Sequence, residues 1–366
     1  MKSTHLDRDV SRRGFLRGAG LFGLGGVVSA LSTQRSHGAA SPKPPRQPVA
    51  PSGYDLDRLR KTDPALVHYE LARSLPSPHG EPNRITFGPD GKLWVTAGKN
   101  VAALDKEGAK ALEWTADQEI TCLGMAADGV VHLGLRDHIE LFKNNQRLAR
   151  WASPAKKAWL TGLAVGEKDV FATDAGNRTV YHFDRSGKLL GRIGDKDKAR
   201  AIPAFSVPSP YFDLELGSDG LLWVANPGLL QLQGFTFDGA LKRKWGEPSF
   251  GIAGFCGCCN PSYFTRLPDG RFVTSEKGLN RIKVYSEEGK FESVVAGADS
   301  FPQYAERITA DALSTAVDTT KGSPASLAWC AQGAIPMDVA ADAGGQVYVA
   351  DTLGNAIRIY RRKTKV

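Results

Sequence analysis

Three of the five cysteines fall within four residues, in Gly254-Phe255-Cys256-Gly257-Cys258-Cys259-Asn260-Pro261. Adjacent cysteines rarely bond to each other, because normal S–S geometry strains the peptide between them. Cys258 and Cys259 therefore each need a different partner. Cys330 lies six residues before Pro336, as Phe255 lies six residues before Pro261, so a common frame for the two segments brings it beside this turn. Two chemistries fit. In the first, one or two disulfides use Cys330 and, for a second bridge, Cys122, with at least one cysteine of the odd set left over. In the second, Cys256, Cys258, Cys259 and Cys330 are thiolate ligands of Zn, Cu or an iron–sulfur cluster, since soft thiolates select these and four of them complete a tetrahedral site or one cluster. Gly254 and Gly257 would let the backbone curl and turn N–H groups towards sulfur. The C-x-C-C spacing differs from the usual zinc-finger and ferredoxin patterns. A reactive thiol and idle buried cysteines are the remaining readings.

Other chemistry-bearing residues are sparser. Asp213 and Asp338 occupy matching places near the starts of two predicted strands, where with Asn260 they could face a common opening. Paired carboxylates at a rim can hold Ca²⁺, and the plainer expectation is that each caps a turn or accepts from a neighbouring backbone. His79 sits in a Ser-Pro-His-Gly turn three residues before Pro82, which places it near the channel mouth, and one imidazole does not make a three-histidine metal site. His132 falls in an aromatic slot and is expected to be packed, and His138 and His182 carry no assigned role. No Ser-His-Asp order, P-loop or dinucleotide fingerprint is present.

The elements that must position these residues repeat along the chain. PMDVAADAGGQVYVADTLGNAIRIY (Pro336 to Tyr360) alternates apolar residues in three short runs separated by turn formers, which predicts a three-stranded meander. The pattern recurs from Leu163 to Gly194 and from Asn260 to Gly297, and more faintly from Pro82, Thr121 and Pro210. A self-similar unit of this size means a repeat architecture whose neighbours supply each other's core. The Pro before the first strand (Pro261, Pro336), the Asp269-Gly270 and Gly344-Gly345 turns, the aromatic second strand, and Asp174 or Asp351 followed by Gly-Asn and Arg (Gly176-Asn177-Arg178; Gly354-Asn355 with Arg358) resemble NHL repeats. That resemblance implies an all-β, six-bladed β-propeller over residues 66–366. Blades one and two run from Pro82 to about Ala152, blade three to Gly194, blade four to Gly246 and blade five to Gly297.

Leu66 to Leu75 alternates like a strand and belongs to none of these units. Because a last blade of three strands would leave an exposed edge, this segment is expected to supply its outer strand and close the ring, an amphipathic helix being the alternative reading. Trp94, Phe171, Trp223 and Tyr348 share one place in their second strands and are expected to be inter-blade core. Three connections, Lys196 to Ser209, Glu247 to Asn260 and Ala298 to Ile335, are far longer than usual. Each joins an outer strand to the next inner strand, so all three emerge on one face around the channel mouth, where long loops in repeat proteins commonly bind. Cys122, three blades from the cysteine turn, falls across the channel from it.

Residues 1–40 read as an address: Ser11-Arg12-Arg13-Gly14-Phe15-Leu16 resembles a twin-arginine export motif and precedes an apolar run to Leu31, with small residues at Gly38-Ala39-Ala40. The run is too short and too weakly apolar to span a bilayer. Residues 41–65 open with a linker holding five prolines in thirteen residues, Ser41 to Gly53. The resemblance implies export to the periplasm or beyond, with N-terminal anchoring if the leader stays uncleaved. The chain's formal charge of +8 includes six Lys/Arg and two Asp in residues 1–40, leaving a thinly spread +4 that gives no nucleic-acid footprint. Three functions follow: a binding module for a protein or small molecule at the loop-bearing face, a redox or metal protein using the cysteines, and a metal-dependent lyase or hydrolase. The third draws on propellers such as the peptidylglycine amidating lyase domain. Where that family places zinc-binding histidines after the pre-strand proline, this chain has Asn83, Ser262 and Met337.

Overall fold

The structure, a computed structural model, describes residues 56–200, 202–257, 259–304 and 334–364. The twin-arginine segment, most of the proline-rich linker, Cys258 and Cys330 lie outside the described residues.

Among the described residues, the apolar alternation read along the chain becomes twenty-four strands in six four-stranded antiparallel sheets. Strand β1 spans Tyr69–Pro76. Blade 1 is β2–β5 (Arg84–Phe87, Leu93–Ala97, Asn100–Leu104, Lys110–Thr115) and blade 2 is β6–β9 (Ile120–Met125, Val131–Leu135, His138–Lys143, Gln146–Trp151). Blade 3 is β10–β13 (Leu160–Val165, Asp169–Asp174, Thr179–Asp184, Leu189–Ile193) and blade 4 is β14–β17 (Leu214–Leu216, Leu222–Asn226, Gln231–Phe235, Leu241–Trp245). Blade 5 is β18–β21 (Tyr263–Arg266, Phe272–Ser275, Ile282–Tyr285, Phe291–Ala296) and blade 6 holds β22–β24 (Val339–Ala341, Val347–Asp351, Ala356–Arg362).

The first strand of each blade packs against the first strands of the blades before and after it, β22 against β2 included, so the sheets close into a ring around a channel. Strand β1 completes blade 6 by pairing antiparallel with β24, from Tyr69 opposite Arg362 to Pro76 opposite Ala356. The ring is closed by the N-terminal strand, as the sequence predicts. The strand begins at Tyr69 because Pro64–Leu66 form a 3-10 turn capped by Asp63, whose carboxylate accepts from the Ala65 N–H.

No blade buries both faces by itself, and each apolar cluster lies between two blades. Trp223 of blade 4 meets Phe272 of blade 5 edge to face at 4.7 Å, and Tyr348 of blade 6 meets Phe87 of blade 1 at 4.9 Å. Phe171 packs with the blade 4 residues Leu214 and Leu222, and Trp94 with the blade 2 residues Leu123 and Val131. The shared aromatic slot is thus inter-blade core in all four blades. Side chains also stitch neighbours at the channel entrance: Asn83 Nδ2 donates to Ile120 O at 2.7 Å, and Thr161 Oγ1 to Phe212 O at 2.8 Å. Among the described residues, no helix is long and apolar enough to cross a membrane.

Candidate functional site

The cysteine turn lies on the connection from Trp245 to Tyr263, on the face where the other outer-to-inner connections emerge. Its base is built by a short parallel bridge between Pro248 and Phe255, with Ser249 N–H donating to Phe255 O and Phe255 N–H to Glu247 O, both at 2.9 Å. Gly254 is required here, because a Cβ would come within 2.4 Å of the Ser249 Cβ and 2.8 Å of the Glu247 carbonyl. Gly257 has φ +82°, a region that side chains disfavour. Phe255 is fully buried among Trp245, Phe272 and Tyr285. Cys256 and Cys259 are both buried.

Asn260 clamps the far side of the turn. Its Nδ2 donates to Cys256 O at 2.6 Å and to Lys277 O at 3.1 Å, while its Oδ1 accepts from the Lys277 N–H at 2.9 Å. The expectation that Asn260 shares an opening with Asp213 and Asp338 is therefore corrected: its amide is spent on the cysteine turn. Ser262 Oγ donates to Cys259 O at 3.1 Å.

Beneath the turn lies a charged group that composition and spacing do not reveal. Glu276 and Lys283 are fully buried and Arg281 is 2% exposed. Arg281 forks onto Glu276 Oε2 at 2.6 and 2.8 Å, and Lys283 pairs with Glu276 Oε1. Lys283 Nζ also donates to Gly254 O at 2.6 Å and Ile252 O at 3.1 Å, and Tyr285 Oη to Ala253 O at 3.0 Å. Strand β20 thus holds the loop backbone through the tips of its own side chains. Cys256 Sγ stands 3.9 Å from Glu276 Oε2. Burial pushes the Lys283 ammonium down to about 8, against the pull of the Glu276 carboxylate.

The four cysteines expected to act together are placed as follows. Cys256 and Cys259 share one buried turn, and Cys258 and Cys330 lie outside the described residues. Among the described residues, no group of three or more His, Cys, Asp or Glu side chains converges as a metal shell. Cys122 is in the core between blades 2 and 3, where burial pushes its thiol up to about 12.

A second polar cluster stands at the channel entrance. Arg84, Asp213, Tyr263 and Asp338 come from blades 1, 4, 5 and 6, each immediately before an inner-strand apolar residue: Ile85, Leu214, Phe264 and Val339. Arg84 Nη2 donates to Asp213 Oδ1 at 2.8 Å, its Nε lies 3.4 Å from Asp338 Oδ2, and its guanidinium covers the Tyr263 ring at 4.4 Å. The two aspartates also accept from neighbouring blades, Asp338 from Ile85 N–H at 2.8 Å and Asp213 from Phe264 N–H at 3.2 Å. They are blade-to-blade acceptors neutralised by an arginine, not an open cation rim. Burial, with Asp213 nearby, pushes the Asp338 carboxyl up to about 7 although Arg84 opposes this. Beyond this gate lies a channel cavity of about 300 Å³ that Glu215, Thr265 and Arg266 also line. Desolvation pushes Glu215 up to about 8, although the Arg266 backbone N–H donates to it.

The histidines stay structural. His132 is buried edge-on to Trp151 at 5.7 Å, and burial lowers its imidazole to about 4. His182 bonds Asp169 at 2.6 Å and stacks on Phe171, and His138 bonds Asp137 at 2.8 Å. His79, placed near the channel mouth by sequence, instead reaches Glu113 on the outer strand of blade 1 at 3.1 Å.

Fold and site together define a six-bladed β-propeller with an ion-paired polar cluster at the channel entrance and a cysteine turn held on a buried ionic platform. No protein-family model matches the chain, and neither does any curated protein. Among solved structures, a streptogramin B lyase is similar at 16% identity over 81% of this chain and 98% of that one, with a TM-score of 0.51. The selenomethionine-substituted virginiamycin B lyase from Staphylococcus aureus is also 16% identical, over 81% of this chain and 90% of that one, with a TM-score of 0.48. At this identity the likeness to the streptogramin B lyase shows the shared propeller fold.

Proposed function

We propose that this chain is an exported β-propeller of NHL type that acts as a binding module, holding a small molecule or protein on the face that carries the long connections. The observation that carries this reading is the platform of Glu276, Arg281 and Lys283. Buried ion pairs are rarely the most stable filling of a core, and this one is spent on fixing a single surface connection. A connection fixed at that cost is being kept in one shape for recognition. The twin-arginine resemblance supports export to the periplasm, with the proline-rich residues 41–65 as the tether.

A second reading is favoured by one feature. Cys256 and Cys259 lie buried in one turn, with Cys256 Sγ 3.9 Å from Glu276 Oε2. Cys256 and Cys259, with Cys258 and Cys330, would then hold Zn, Cu or an iron–sulfur cluster, and twin-arginine export would carry the loaded, folded protein. The lyase and hydrolase reading has no such support. The streptogramin B lyase likeness bears on fold, and the positions after the pre-strand prolines carry Asn83, Ser262 and Met337.

The test is recovery of the full chain from the periplasm of a bacterial host, beside a variant with Cys256, Cys258 and Cys259 changed to Ser and another with Glu247 to Asn260 shortened. The binding reading expects co-purified molecules, identified by mass spectrometry, to be lost with the shortened connection. Identical sets from all three proteins overturn it. The second reading expects about one metal site per chain, lost in the serine variant.

A further inference from the structure

The charges beneath the cysteine turn do not balance. Lys277, Arg281 and Lys283 are each 2% exposed or less, and Glu276, which pairs with Arg281 and Lys283, is fully buried. Lys277 is left over. Its Nζ has Ser209 Oγ at 3.5 Å and stands 5.0 Å from the centre of the Tyr211 ring. Among the described residues it has no carboxylate within ion-pair distance. A buried ammonium held by one long hydrogen bond and an aromatic face is costly without a counter-ion. The position is enforced, because Asn260 binds both the N–H and the C=O of Lys277.

The surroundings describe what the counter-ion belongs to. Ser209 is buried and closes the long connection into blade 4. Tyr211 and Tyr263 are half-buried and meet edge to face at 6.1 Å, and Tyr263 carries the Arg84 guanidinium on its ring. Lys277, Tyr211, Tyr263 and Arg84 therefore run in succession from the cysteine turn to the channel entrance. At the Arg84 end the positive charge is already met by Asp213 and Asp338. At the Lys277 end it is not.

We infer that Lys277 and Ser209 form an anion site for a small monocarboxylate whose apolar or aromatic body lies against Tyr211 and Tyr263. The carboxylate pairs with Nζ and accepts from Ser209 Oγ. Lys277 is the one cation of this group without a carboxylate contact among the described residues, which suits a single carboxylate, and the carboxylates around Arg84 oppose a dianion such as phosphate. The inference names the ligand class for the binding reading above and rests on it.

The test uses the full chain with benzoate and inorganic phosphate as probes, read by calorimetry, tyrosine difference absorbance and thermal unfolding. Benzoate is expected to bind, perturb tyrosine absorbance and raise the melting temperature. Lys277→Met is expected to weaken benzoate binding at least tenfold and, without benzoate, to melt higher than the wild type, because a buried charge lacking a partner has been removed. Ser209→Ala is expected to weaken binding several-fold with the melting temperature unchanged, which decides the matter should Lys277→Met fail to fold. The inference is overturned if benzoate does not bind, if phosphate binds more tightly, or if Lys277→Met folds and melts lower than the wild type in benzoate-free buffer. If benzoate fails while molecules recovered with the periplasmic protein still depend on the Glu247 to Asn260 connection, only this site falls and the binding reading stands.

Discussion

Glu276 is the residue on which the cysteine turn rests, and its removal has a definite cost. Glu276→Gln leaves Arg281 and Lys283 buried without their carboxylate, which is expected to destabilise the protein by about 3–5 kcal/mol, measured by urea unfolding at pH 7. Protease cleavage within Glu247 to Asn260 should rise in step, because Lys283 holds that backbone. The channel carboxyls set a pH dependence. Glu215 and Asp338 are pushed up to about 8 and about 7. The folded chain therefore keeps their protons to higher pH than the unfolded chain does. Their contribution is full below the ordinary carboxylate range and lost as pH rises through these values. Unfolding free energy is expected to fall between about pH 5 and pH 8.5, with Glu215→Gln flattening the slope. A Glu215→Gln slope identical to the wild type would refute this assignment. At this scale the cysteine turn could be read in sequence, because C-x-C-C is local. Arg84 and Lys277 could not. Arg84 matters through carboxylates of blades 4 and 6, and Lys277 through a counter-charge it lacks, and neither relation exists until the ring closes.

The elements themselves were far more legible, because a strand's partner is its neighbour in sequence. Alternating apolar residues and Gly turns place each four-stranded sheet, and an aromatic at one register position tells which face meets the next blade. The structure keeps that slot for Trp94, Phe171, Trp223 and Tyr348. Trp223 is fully buried against Phe272, so Trp223→Ala is expected to cost about 3–5 kcal/mol. Trp94→Ala, at a 7% exposed position, should cost less, as paired denaturation midpoints would show. The closing strand starts at Tyr69 and not Leu66, because a capped turn at Pro64 takes the preceding residues, a boundary that alternation does not mark. His79 was misplaced for a related reason. Its turn leads into an inner strand, yet the side chain reaches outwards to Glu113.

At the scale of the molecule, six wedges share six interfaces, and none is complete without both neighbours. The period of the repeat announced this arrangement, and the unpaired edge of a three-stranded last blade announced its closure. Deleting the chain through Pro76 would strip β1 from β24 and expose that edge along Ala356–Arg362. The truncated protein is expected to melt more than about 10 °C lower and to aggregate, as scattering during a thermal ramp would record. A synthetic Tyr69 to Pro76 peptide added in trans should recover part of the loss. Unchanged melting without β1 would show that the ring does not depend on its clasp.

That clasp also dictates an order of events. Among the described strands, the ribosome makes Tyr69–Pro76 first and Ala356–Arg362 last. The earliest of these strands must therefore wait until the others have been made before its hydrogen-bonding partner exists. A chain stopped before Ala356 would lack the partner of β1 and leave an open arc with two unpaired edges, never a smaller circle.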